Sequence, residues 1–355
     1  MYTEYGDART FDRLVELAVQ RGANRDAFIA RLESHGTYQT DPALLFAWYR
    51  EMPEMQDYSD LLLAARTDHV KLAEKLLANG ADANQRASDG VSALMYASMH
   101  GNAALVRSLV TASADPNFRP TSGYSALHFA AERGDLKVAE ILITAGADPN
   151  VGDTRGFTPL MHAAADGNEE LARLLMKHGG DSHARNRDGW SMLVFAAIGG
   201  STALGRVLIN LGADVDDQSL SDQGWNPILK ASECRSHDFM RLLIERGASV
   251  NVRTNDGKTA LMLAAEEDQS TAPGDRETVE ILLNAGADPN VSDRSGWTAL
   301  MYAAKCGGTD VARTLLKHGA DLTARNDKQQ TALVIALESS QPDVAEVLGN
   351  FEAKK

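Results

Sequence analysis

Cysteine is almost absent from the 355-residue chain: Cys234 and Cys306 stand alone, 72 residues apart. Two such residues build neither a disulfide framework nor a four-ligand zinc site, and their scarcity fits a reducing compartment. Basic residues are in deficit, 35 against 49 acidic, which leaves a net charge of −14. A chain of this charge lacks the basic surface that displaces counterions from a phosphate backbone, so nucleic acid is not expected among its partners. No apolar run approaches the roughly 20 residues that cross a bilayer. The opening "MYTEYGDARTFDRLVELAVQRG" has no basic leader followed by an apolar stretch. A cytoplasmic protein with no membrane partner is the expectation, with delivery to another cell or compartment left open.

What the chain has in place of these features is periodicity. Glycine recurs at Gly90, Gly123, Gly156, Gly189, Gly224, Gly257 and Gly296, at intervals of 33, 33, 33, 35, 33 and 39 residues. Asparagine keeps step at Asn84, Asn117, Asn150, Asn251 and Asn290, with His183 and Asp216 in the intervening slots. The most complete unit, residues 156–181, reads "GFTPLMHAAADGNEELARLLMKHGGD". Thr158 followed by Pro159 marks a helix start, a hydroxyl cap ahead of a ring already at helical φ. Leu160, Ala163 and Ala164 then share a face whose small residues let a second helix approach closely. Gly167 ends that helix; Leu171, Leu174 and Leu175 form the apolar face of the next, which Gly179 ends. The polar, turn-rich "DSHARNRDG" leads as an extended, hairpin-like connection into the following unit. Apolar residues make up 44% of the chain, enough for a core. One unit cannot cover its own apolar faces, however, so the units must stack.

These units resemble ankyrin repeats, a family with a 33-residue period and a T-P-L-H-x-A signature. The resemblance spans about residues 58–351 and implies an all-α, ankyrin-type α-solenoid of helix-turn-helix units joined by hairpins. About eight repeats are expected, near 58–88, 89–121, 122–154, 155–187, 188–222, 223–255, 256–294 and 295–327, with 328–351 as a C-terminal cap. That last segment puts Gln329 in the hairpin-glycine slot and turns polar, as suits a cap whose outer face meets water. Most units replace the signature histidine by an apolar residue, as at Met95, Met161, Met262 and Met301, whereas His128 keeps it. The family's histidine is a structural hydrogen-bonding residue, so its loss bears on local rigidity. Residues 1–57 differ: Phe11, Leu14, Val15, Ala18 and Val19 have helical spacing, Asn24 can cap a second helix, and Asp41 with Pro42 can open a third. A small helical module or a degenerate repeat fits this segment.

Signals of catalysis are weak. "NDGKTAL" ends like a phosphate-binding loop, but Val252 stands where that motif needs its first glycine. "GYSAL" around Ser125 lacks the second glycine of a nucleophile elbow. His178 and His318 share a slot near the end of the second helix, where a cation suits the dipole. His128 and His162 lie in first-helix slots, and no His, Cys, Asp or Glu set has metal spacing. Cys234 and Cys306 share a slot near the end of the first helix and read as small half-buried residues, a reactive pair being the alternative. Glu266 and Glu267 read as a solvated turn. No catalytic, cofactor-binding or metal-binding residue is therefore expected.

A surface pattern stands out instead. Directly after the hairpin glycines come Val91, Tyr124, Phe157, Trp190, Trp225, Lys258 and Trp297, so five of seven are aromatic in a chain that is only 6% aromatic. By the resemblance, this slot lies where hairpin meets first helix, along the concave groove used for partners. The rings either present rigid contact area to a partner or stack between adjacent repeats. Arginines accompany them: Arg86, Arg119, Arg185, Arg253 and Arg325 follow the asparagine slot by two residues, and Arg155, Arg187 and Arg294 fall later in their hairpins. Hairpin aspartates such as Asp153, Asp188, Asp256 and Asp293 cancel part of this charge. Met99, His100, Glu132, Arg133, Lys305 and Cys306, at the first-helix ends, complete the candidate partner-binding set.

The expected function is a monomeric, non-catalytic scaffold that takes a protein partner in this groove. Open alternatives are an inhibitor or immunity-type protein, a host-directed effector, and an enzyme with its chemistry in residues 1–57, which hold His35. One irregularity remains, the six extra residues within 266–277, acidic and broken by Pro273 and Gly274, with Asp275 placed to cap the helix that follows. A tolerated surface turn is the default reading, with a partner contact as the alternative.

Overall fold

The computed structural model describes residues 58–219, 224–266 and 274–353. The expected N-terminal module, Glu267 and most of the acidic insertion lie outside them. Among the described residues there are 18 helices and no strand, only isolated antiparallel bridges at Arg86 with Ser92, Arg185 with Ser191, Arg253 with Thr259 and Ser292 with Thr298. The chain divides into two compact units, Met1–Asp115 and Pro116–Lys355.

The first unit contains α1 (Asp60–Arg66), α2 (Val70–Ala78), α3 (Ala93–His100) and α4 (Ala103–Thr111). Helix α1 packs on α3 and α2 on α4, so like helices of successive repeats meet. The second unit continues with α5 (Ala126–Glu132), α6 (Leu136–Thr144), α7 (Pro159–Ala165), α8 (Glu169–Lys177), α9 (Met192–Ile198), α10 (Thr202–Asn210) and α11 (Pro227–Glu233). Then follow α12 (His237–Glu245), α13 (Ala260–Ala265), α14 (Arg276–Asn284), α15 (Ala299–Cys306), α16 (Thr309–Lys317), α17 (Ala332–Glu338) and α18 (Pro342–Glu352). Within this unit the odd-numbered first helices stack in one row and the even-numbered second helices in another.

The local chemistry follows the repeat. Thr158 Oγ1 accepts from the Met161 amide at 3.3 Å, and Pro159 opens α7. The alanine pairs Ala130/Ala131, Ala163/Ala164, Ala196/Ala197 and Ala303/Ala304 are fully buried, which lets first helices approach one another closely. Second helices are half in water: Leu171, Ala172 and Leu175 of α8 are buried while Arg173 and Lys177 are exposed.

The hairpin glycine answers two demands at once. Gly156 has φ +78°, and a Cβ there would lie 3.0 Å from the Arg187 amide of the next hairpin. That approach permits the Arg187 amide to donate to the Arg155 carbonyl at 2.9 Å. Gln329 holds the same left-handed conformation, φ +61°, without glycine's freedom. Gln329→Gly should therefore raise stability by about 1 kcal/mol, read as a higher urea midpoint. An unchanged midpoint would mean that the glutamine side chain offsets its own strain.

The recurring asparagine is an inter-repeat clamp. Asn150 Nδ2 donates to the Gly179 carbonyl at 2.8 Å and its Oδ1 accepts the Asp181 amide at 2.7 Å. Asn117 does the same with Gly146 and Asp148, and Asn290 with Gly319 and Asp321. An amide side chain supplies a donor and an acceptor together, which explains why this residue type keeps step with the glycines. The final repeat is less polar than its sequence suggests, since Val334 and Leu337 on α17 are 38% and 64% exposed.

A self-engaged aromatic row as candidate functional site

The hairpins of the second unit are closed by their own side chains. Asp153 Oδ1 accepts from the amides of Arg155 and Phe157 at 2.8 and 2.9 Å, and Asp293 Oδ1 from those of Ser295 and Trp297 at 2.8 and 2.9 Å. Asn186 takes the Trp190 amide at 2.9 Å. These turns place the residue after the glycine at the mouth of each first helix. Charge cancellation also occurs, with Arg155 lying 3.8 Å from Asp153 and Arg185 2.6 Å from Asp217. Arg119, Arg187 and Arg253 are exposed, and Arg253 donates to the Ser292 carbonyl at 3.3 Å.

Each hairpin aromatic meets the residue five positions later on its own first helix. Tyr124 lies 5.0 Å from Phe129, Phe157 5.7 Å from His162, Trp190 5.8 Å from Phe195 and Trp297 5.2 Å from Tyr302, centroid to centroid. Three of them also reach the equivalent residue of the following repeat: Tyr124 to His162 at 5.6 Å, Phe157 to Phe195 at 5.2 Å, and the Trp190 ring to Lys230 Nζ at 4.8 Å. Lys230 is itself 9% exposed, and its ammonium sits 3.9 Å from the Trp225 centroid. Edge-on ring contacts and desolvated cation–π contacts are each worth about 1 kcal/mol or more. The row is therefore a cross-braced seam from Tyr124 to Trp225. This second column was visible in the sequence of the second unit as Phe129, His162, Phe195, Lys230 and Tyr302, with Leu263 in the seventh repeat, and sequence reasoning missed it.

A second regularity joins the hairpin slot to the first-helix end eight residues on. Tyr124 donates to Glu132 at 3.4 Å, Lys258 to Glu266 at 2.7 Å and Gln330 to Glu338 at 2.6 Å, while Lys305 Nζ stands 5.8 Å from the Trp297 ring. In the first unit Arg66 donates to Tyr58 at 2.8 Å, and Tyr58 lies 2.9 Å from Tyr96, oxygen to oxygen. Two sets expected to act as separate partner contacts are thus partly matched to each other. Glu266 is accordingly an ion-paired residue and not a solvated turn acid.

The structure corrects two further expectations. Trp225 is buried, at 9% exposure, with the Lys230 ammonium over its ring, and it offers little surface to a partner. Cys234 is exposed where a half-buried residue was expected, whereas Cys306 is half-buried, and the two form no disulfide. Tyr124, Phe157, Trp190 and Trp297 keep intermediate exposure, with Glu132, Arg133 and Lys305 exposed beside them. Met99 is half-buried in the first unit, where the exposed His100 bonds the Arg66 carbonyl at 2.8 Å.

The histidines at the core of the row are neutral by construction. His128 is fully buried, its Nδ1 accepts the Ser125 amide at 3.0 Å, and its Nε2 therefore donates to the Phe157 carbonyl at 2.9 Å. Burial lowers its pKa to about 4, and burial likewise lowers that of His162. Tyr124 and Tyr302 are pushed above the usual phenol range, chiefly by burial and then by the nearby carboxylates. Met161, in the signature-histidine slot of α7, offers Sδ to the Thr158 amide at 3.4 Å, a weak stand-in for the ring nitrogen.

Asp275 caps α14 as expected, accepting from the Glu277 amide at 3.1 Å and from Thr278 and His237 at 2.5 Å each. Burial alone would raise its pKa, but those hydrogen bonds and the His237 charge hold it below the usual carboxylate range. Asp275 thereby ties the start of α14 to the start of α12. Among the described residues no group of three or more His, Cys, Asp or Glu is placed to hold a metal ion, and no helix is long and apolar enough to cross a membrane. The serine–imidazole pair described in the row, Ser125 Oγ with His128 Nδ1 at 2.8 Å, is buried in the capping box of α5.

The family model described as ankyrin repeats (3 copies) matches residues 61–153, 145–219, 212–273 and 269–355. No curated protein matches the chain significantly.

Proposed function

The chain belongs to the ankyrin-repeat family, and from that premise we propose that it is a non-catalytic scaffold which binds a protein partner through the groove face of its second unit. Ankyrin repeats generally mediate protein–protein interactions. The observation that supports this reading is the half-exposed remainder of the aromatic row, Phe157, Trp190 and Trp297, held rigid by neighbours and rimmed by Glu132, Arg133, Arg155 and Lys305. Rings already locked in place lose little entropy on contact, and a partner covers area that the stack leaves open. The protein acts as a monomer in this reading.

Phe157→Ala and Trp297→Ala test it better than any change at Trp225, because their rings are only partly used by the core. Each is expected to cost about 1–2 kcal/mol of stability while the protein stays folded at assay temperature. Quantitative mass spectrometry after affinity capture with the full chain, run against both variants, should show the same proteins depleted at least ten-fold. Capture that is unchanged with both folded variants would sink the reading.

A further inference from the structure

We propose that the described part of the fifth repeat, residues 188–219, is a built-in joint at which the second unit opens locally before the rest of that unit does. Three independent observations converge on it. First, both clamps that flank it are halved. His183, in the asparagine slot of the preceding hairpin, lies 3.2 Å from the Leu211 carbonyl, and among the described residues no side chain accepts the Asp214 amide as Asn150 accepts that of Asp181. Asp216, in the same slot of the fifth repeat, accepts the Ser249 amide at 2.9 Å, and a carboxylate has no proton to return to the opposite carbonyl.

Second, unmet hydrogen-bonding demand concentrates here. Of the four buried side-chain polar atoms without a partner among the described residues, three are Trp190 Nε1, Ser191 Oγ and Asn226 Nδ2, at the starts of the fifth and sixth first helices. Each such group raises the free energy of the closed state relative to one in which water reaches it. Third, the packing relies on exceptions. Gly205 on α10 accommodates the Phe239 ring, whose Cε2 would lie 2.6 Å from any added Cβ. Arg235 takes φ +54° in the slot that Gly134, Gly167 and Gly200 occupy, an exception that within this unit recurs at Ser340 of the last repeat.

What holds the joint closed is short and specific. Ser236 donates to the Ala197 carbonyl at 3.0 Å, Arg185 pairs with Asp217 at 2.6 Å, and the Lys230 ammonium lies over Trp190 and Trp225. Opening separates Lys230 from Trp190 and frees the Trp190 face, so the joint sits under the middle of the aromatic row. The inference stands whether or not that row binds a partner.

Hydrogen–deuterium exchange of the full chain, read by mass spectrometry where exchange follows the opening equilibrium, tests it. Amides of α10 should exchange at least ten-fold faster than the matching amides of α8 and α14. The double variant His183→Asn with Asp216→Asn restores the missing donor and acceptor, and should slow α10 about five-fold per restored clamp bond. His183→Asn alone reads the fourth-to-fifth contact if the pair proves less stable than expected. Equal protection of α8, α10 and α14, or wild-type exchange in the folded variants, overturns the proposal.

Discussion

Replacing Trp225 by alanine is expected to cost about 3–5 kcal/mol of stability, the range for truncating a buried large aromatic. The ring is 9% exposed and lies 3.9 Å from the Lys230 ammonium. Its removal leaves a void and takes away the aromatic face that makes burial of that cation tolerable. Glu233, which accepts from Lys230 at 2.6 Å, remains but is itself half in solvent and compensates little. A circular dichroism melt should fall sharply for Trp225→Ala and much less for Trp297→Ala. Lys230→Met in the Trp225→Ala background should recover part of the loss, since an apolar chain needs no counter-charge. Equal melts for the two tryptophan variants would show that the ring is not structural.

Acid is expected to weaken the protein through His128. Its pKa in the folded state is about 4, below the unfolded value, so between the two the unfolded chain binds the extra proton. The stability that the neutral imidazole contributes is thus complete above about pH 6.5 and is lost as pH falls through about 4. The shift corresponds to about 3 kcal/mol at the acid end. His162, lowered in the same direction, adds to the trend with the same sign. His128→Met, the residue that four sibling repeats carry in that slot, should cost about 1 kcal/mol at neutral pH, because the Phe157 carbonyl loses its donor. The same variant should flatten the fall in urea midpoint between pH 7 and about 4.5. A wild-type slope in the variant would assign the acid sensitivity to carboxylates alone.

Much of the fold was legible because stacked repeats print their local rules many times over. The helix starts at Thr158 and Pro159, the ends at Gly167 and Gly179, and the hairpin glycines all follow from backbone demands that one or two residue types meet, and the structure places each as expected. The cap at Asp275 was readable for the same reason. The candidate site was legible only in outline. Tyr124, Phe157, Trp190, Trp225 and Trp297 do form one slot, but which of them face solvent depends on what each meets. Trp225 meets a lysine, Trp190 a phenylalanine and Phe157 a histidine. A side-chain column five residues downstream carries no turn signal or helix cap, so it did not announce itself.

The sequence by itself determined the period, the helix boundaries, the buried alanine faces and the clamp positions, including the two slots where histidine and aspartate break the asparagine series. Those are properties of a chain against its own backbone, and local sterics and hydrogen-bonding capacity decide them. Only the tertiary structure decided which aromatics are consumed in bracing neighbouring repeats, that Lys230 is caged between two tryptophans, and that unsatisfied polar atoms gather around the fifth repeat. These depend on pairs five residues apart within a repeat, such as Trp225 with Lys230, combined with contacts about 38 to 40 positions apart between repeats, where the identity of one side chain sets the exposure of another.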